Sequence, residues 1–187
     1  MTKIAQSKSA NINIHSFANF SSDIKSGNIR AAYLIFGDET FLIDKAIEAI
    51  SRKILAPNSQ TIDMHTIDAK GKLPSVEVLK EQIYTPPFLS SRRLVIVKNT
   101  GIFATADIPD DILSAFAELI HNIPDSSCVV FLESKIDKRK KSVLKVFAET
   151  AMIVEVAKQK GEDLCRWVAT ALKKEDIRIS VNAVTSL

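Results

Sequence analysis

A chain of 187 residues that is 46% hydrophobic and 25% charged has the make-up of one globular domain, with room for the start of a second, and is neither disordered nor low-complexity. Its length lets it bury a core without a disulfide or metal staple. The net charge of +3, from 25 basic and 22 acidic residues, is too small to mark a nucleic-acid binder by itself.

Residues 1–13 are polar, lack the apolar stretch of a signal peptide, and are expected to form a mobile arm. Phe17, Phe20 and Ile24 recur at helical spacing, which predicts a helix over 15–26 ended by Ser26-Gly27-Asn28. The continuous run AAYLIF (31–36) predicts a strand buried on both faces, broken by Gly37-Asp38. A 3.6-residue period through Phe41, Leu42, Ala46, Ile50 and Ile54 predicts a helix over 39–55, stopped by Pro57. Alternation over 61–68 predicts a strand, and Val76, Leu79 and Ile83 after Pro74 predict a short helix over 75–83. The segment TPPFLSS (85–91) reads as a loop, and RLVIVK (93–98) as a further buried strand. A helix over 110–122, a strand over 127–132, a helix over 138–149 and a strand over 151–156 follow. Gly161-Glu162 opens a helix over 163–174, and Ser180 caps another over which the sequence ends without a C-cap, so the chain is expected to be the N-terminal piece of a longer one.

Strands alternating with helices predict an α/β fold, a parallel sheet with helices on both faces. Gly37-Asp38-Glu39 stands where such a fold places a phosphate loop. That loop needs Gly-Lys-Ser/Thr at positions 42–44, and the sequence has Leu42-Ile43-Asp44 instead. Gly37 therefore reads as a turn, and the phosphate loop as degenerate. Glu133-Ser134 ends a strand where an ATPase would hold magnesium, but one glutamate without the lysine reads as a strand-end charge. Cys128 and Cys165 form no paired motif and sit in apolar segments, as small buried hydrophobes do. His15, His65 and His121 have no ligand spacing, so no metal, cofactor or catalytic constellation is expected. The sequon Asn19-Phe20-Ser21 has no secretory segment to give it meaning, and no apolar run approaches the ~20 residues of a membrane span, so a cytoplasmic location is expected.

Two segments remain for binding. Lys135, Lys138, Arg139, Lys140 and Lys141 form a basic cluster broken by Asp137. It reads first as a solvated helix start and second as a contact for DNA or a partner, since cations at a helix N-terminus oppose its dipole. In the loop 85–91, Pro86 and Pro87 stiffen the chain ahead of Phe88-Leu89. Those two side chains either tuck back into the core or form a rigid apolar wedge for a partner's pocket.

The segments YLIFGDE (33–39), TPPFLSSRRLVIVK (85–98), VFLE (130–133) with KIDKR (135–139), and LCRWV (164–168) with the helix start at 179–187 resemble, in order and spacing, the delta subunit of the bacterial DNA polymerase III clamp loader. The likeness runs from about residue 31 onward. It implies an AAA+-like domain over 1–177 without a working ATP site, and the start of a helical lid domain over 178–187, the C-terminal collar domain being absent from the chain. It implies a subunit that binds the ring-shaped sliding clamp through a short helix and an apolar tip and springs one ring interface open. That tip maps onto Pro87, Phe88 and Leu89, a Pro-Phe-Leu version of the family's apolar pair. It further implies the sliding clamp (beta subunit), gamma/tau and delta prime as partners within the polymerase holoenzyme. DNA is then met through the assembly, and no catalysis belongs to this chain. An atypical P-loop NTPase and a nucleic-acid-binding module built on 135–141 are the alternatives from other classes.

Overall fold

The computed structural model describes residues 12–104 and 108–157. The expectations for residues 1–11, for the two helices after residue 160, for Cys165 and for the lid start at 178–187 lie outside that range.

The apolar runs become the strands of a single parallel sheet. In chain order the elements are β1 (Ile14–Ser16), α1 (Phe17–Lys25), β2 (Ala32–Phe36), α2 (Thr40–Ile54), α3 (Gln60–Asp63), β3 (Met64–Asp68), α4 (Val76–Tyr84), β4 (Arg93–Lys98), α5 (Asp110–His121), β5 (Ser127–Glu133), α6 (Lys141–Thr150) and β6 (Ala151–Glu155). The spatial order is β1-β6-β2-β5-β4-β3. Every pairing is parallel, so all strands point the same way and the sheet has one amino edge and one carboxyl edge. β2 and β5 are buried along their whole length, which is why they read as continuous apolar runs rather than alternating ones.

Successive side chains leave a strand on opposite faces. One face presents Leu34, Phe36, Val95, Val97, Val129, Phe131 and Ile153 to α4, α5 and α6. Its centre is aromatic: the Phe131 ring meets Phe147 at 5.1 Å and Phe116 at 5.7 Å, both edge-on. The other face carries Tyr33, against which the Phe20 ring of α1 packs edge-on at 5.6 Å. Leu42, Ala46, Ile50 and Ile54 repeat every fourth residue of α2 and are buried along one stripe.

Some expectations are corrected. The helix expected from residue 15 begins at Phe17, because Ser16 is extended and its Oγ accepts the Asn19 amide at 3.3 Å. Ile14, His15 and the cap residue itself pair as β1 with β6, in a strand too short to show a period. The strand expected over 61–68 starts at Met64, and the turn of α3 precedes it. The helix expected from 138 starts at Lys141, so Lys138 and Arg139 lie in the turn before it. Phe41 is exposed, with the Lys45 ammonium 5.6 Å from its ring centre.

Candidate functional site

At the carboxyl edge, the position of a phosphate loop is filled by the chain itself. Gly37 has φ +144°, and a Cβ there would lie 1.9 Å from the Val156 carbonyl oxygen. The strand end that follows β6 thus crosses directly over this glycine, tied down by a 2.7 Å bond from the Val156 amide to the Phe36 carbonyl. Glu133 is buried, and its Oε1 accepts both the backbone amide (2.8 Å) and the hydroxyl (2.5 Å) of Thr100. The glutamate therefore latches the ends of β4 and β5 together, as a strand-end charge does. Cys128 is buried, and burial pushes its thiol up to about 12, which makes it inert as a nucleophile. Among the described residues no group of three or more His, Cys, Asp or Glu side chains converges as a metal site, and no helix is long and apolar enough to cross a membrane.

The basic cluster also lies at the carboxyl edge, in the turn that leaves β5 and enters α6. Two of its charges are already matched. Lys138 Nζ reaches the two Glu155 carboxylate oxygens at 3.1 and 3.2 Å, and the Arg139 guanidinium binds Asp137 through two contacts of 3.0 Å. The Arg139 side chain and amide hold the Asp137 carboxyl at about 2. Lys135 and Lys141 are exposed, and Lys140 is half-buried.

The loop between α4 and β4 lies at the amino edge, opposite the carboxyl edge that holds Gly37 and the basic turn. Its two outermost apolar side chains do not return to the core: Phe88 is 79% exposed and Leu89 55%. The backbone beneath them is tethered through its amides. Thr85 is extended (φ −65°, ψ 120°), as a residue before proline must be, and its amide closes α4 on the Glu81 carbonyl. Pro86 and Pro87 have no amide hydrogen. The next donors, the amides of Phe88, Leu89 and Ser90, all end on the Asp63 carboxylate, at 2.6, 2.9 and 2.8 Å. Ser90 Oγ accepts the Ala56 amide at 2.9 Å and lies 2.6 Å from Ser59 Oγ. The Ser91 amide and hydroxyl both reach the Ile54 carbonyl. Arg93 then ties the strand start to Gln82 and to the Ile62 carbonyl.

Asp63 and Ser59 escaped the sequence reading, since Asp63 lay inside an expected strand. The available signal was an aspartate within an alternating apolar segment, where a carboxylate must have partners to be buried. Burial alone would raise the Asp63 carboxyl, but the Phe88 amide, the Ser90 hydroxyl and the Leu89 and Ser90 amides together hold it at about 2. Beside it Ile62 is nearly half exposed, a further apolar side chain on the same short helix.

A family model described as DNA polymerase III, delta subunit, matches residues 33–157. A curated relative, DNA polymerase III subunit delta of Bacillus subtilis (strain 168), is 24% identical over 170 residues, which cover 88% of this chain and 48% of the relative. Among solved structures, the Bacillus subtilis DNA clamp loader delta protein superposes with a TM-score of 0.71 at 22% identity, covering 91% of this chain and 51% of that one. A DNA polymerase III gamma subunit-related protein from Thermotoga maritima gives a TM-score of 0.51 at 15% identity over 83% of this chain and 52% of its own. The chain spans about half the length of the relatives it matches. The fold is AAA+-like, as the sheet order and these superpositions show.

Proposed function

This chain belongs to the DNA polymerase III delta subunit family, and from that premise we propose that it is the AAA+-like part of a clamp-loader subunit whose Pro87-Phe88-Leu89 tip docks on the sliding clamp. The domain spans residues 1–177 in this reading, with a lid beginning at 178. The observation that carries it is the contrast within one loop: the apolar side chains of Phe88 and Leu89 face solvent while the backbone under them is held by side chains of α3 and its flank. Adjacent apolar side chains held outward on a fixed backbone have the character of a docking anchor, an aromatic one above all.

The mechanism is differential binding. The tip engages the clamp better when one ring interface is distorted, so docking shifts the clamp toward its open form without bond chemistry in this chain. Hydrolysis of ATP belongs to sister subunits of the gamma/tau type, with delta prime completing the assembly and DNA reached through it in the cytoplasm. The closed position at Gly37 accords with that division of labour.

Titration of the sliding clamp with the wild-type protein and a Phe88→Ala/Leu89→Ala variant tests the reading. The variant is expected to bind about 30-fold more weakly or worse, as loss of an interface hot spot does. Unchanged affinity, with the fold intact, would place the contact elsewhere and overturn the proposal.

A further inference from the structure

We propose that Asp63 is the positioning residue of the docking tip, its carboxylate setting the outward conformation of Phe88 and Leu89 before any partner arrives. The inference rests on the docking reading above and adds to it a residue outside the tip. Three consecutive amides converge on one buried carboxylate, with Phe88 on Oδ1 and Leu89 and Ser90 on Oδ2. These amides have no ladder partner, because β4 begins only at Arg93 and the loop runs along no strand. Without the carboxylate those donors would turn to water, and the loop would sample many conformations. Each residue then ordered on docking would weaken the complex.

Asparagine cannot replace Asp63. It has the same shape but only one acceptor oxygen, so its NH2 group would face either the Phe88 amide or the pair from Leu89 and Ser90, donor against donor. Two surrounding tethers need not change: the Ser91 hydroxyl on the Ile54 carbonyl and the Ala56 amide on Ser90 Oγ are made without the Asp63 carboxylate. The side chain thus governs the tip more than the body of the domain.

The test uses the intact protein and the sliding clamp. Hydrogen exchange of the amides of Phe88, Leu89 and Ser90 is followed in the wild type and in Asp63→Asn, beside the β4 amides as an internal control, and clamp affinity is measured for both. The expected result is faster exchange confined to the tip and a clamp affinity about tenfold lower. A double-mutant cycle with Leu89→Ala separates positioning from general destabilisation: an effect transmitted through the tip is strongly non-additive with Leu89→Ala, whereas additive effects would overturn the proposal. Faster tip exchange with unchanged affinity would overturn it as well. If Asp63→Asn fails to fold, the wild type still decides, because tip amides exchanging as fast as those of an unstructured peptide would refute the hold. Failure of the docking reading looks different: affinity would then survive Phe88→Ala/Leu89→Ala while the tip amides remained protected by Asp63.

Discussion

Gly37 shows how tightly one backbone position can be specified by the segment that crosses it. Its φ of +144° lies in the region that favours glycine, and the space beside its Cα is taken by the Val156 carbonyl. That carbonyl cannot step aside freely, since the same residue's amide is bonded to Phe36 at 2.7 Å. Gly37→Ala is therefore expected to cost about 3 kcal/mol or more in a urea titration, from backbone strain and overpacking together. A change within about 0.5 kcal/mol, the range of a neutral surface substitution, would show that the segment after β6 yields without cost. At the other edge of the sheet the decisive residue is Asp63, and there sequence and structure parted. The glycine was legible because a turn after a buried strand is a strong local signal. The aspartate was not, because its partners lie 25 to 27 positions away and pairing at that distance leaves no period.

At the scale of elements, the continuous apolar runs were the most legible signal. The strands placed at 31–36, 93–98, 127–132 and 151–156 all formed within a residue or two of those limits, because a strand covered on both faces has no need to alternate. Short elements were lost: β1 and α3 span three and four residues, too few for a period to repeat. Contacts between helices were equally invisible, and one of them is expected to respond to pH. His121 of α5 places Nδ1 2.7 Å from the Ala117 carbonyl and Nε2 2.9 Å from the Glu149 carboxylate of α6. Both nitrogens face acceptors, so the doubly protonated ring satisfies both, and its pKa is raised, first by the Ala117 carbonyl and then by Glu149. A group whose folded pKa exceeds its unfolded value stabilises the fold fully below the unfolded value, here 6.5, and loses that contribution as pH rises through the folded one. Thermal stability of the wild type should thus decline as pH rises above about 6.5, and His121→Gln should flatten that part of the profile. The site is partly exposed and the effect correspondingly small, so the comparison of slopes between the two proteins is the measurement that decides.

Across the described domain, the two ends of the parallel sheet differ in what their side chains do for the fold. The carboxyl end is closed by contacts that hold the fold: Val156 over Gly37, Glu133 on Thr100, Lys138 on Glu155. The amino end carries apolar side chains that contribute little to the fold, since Phe88 and Leu89 leave most of their surface in water. Function and stability should separate along that axis. Phe88→Ala/Leu89→Ala is expected to move the unfolding free energy by no more than about 0.5 kcal/mol per site, as substitutions of exposed side chains do. Phe131→Ala, in the middle of β5 and of the aromatic cluster, is expected to cost about 3–5 kcal/mol. Denaturant titrations of the two variants beside the wild type give both values. A large loss from the tip variant would mean that Phe88 and Leu89 fold back onto the domain in solution, and the loop would then be a structural plug rather than a wedge. A small loss, together with lost clamp affinity, would mean that the apolar surface is kept outward for a partner, with its orientation set by contacts from Asp63 that survive when the side chains it presents are removed.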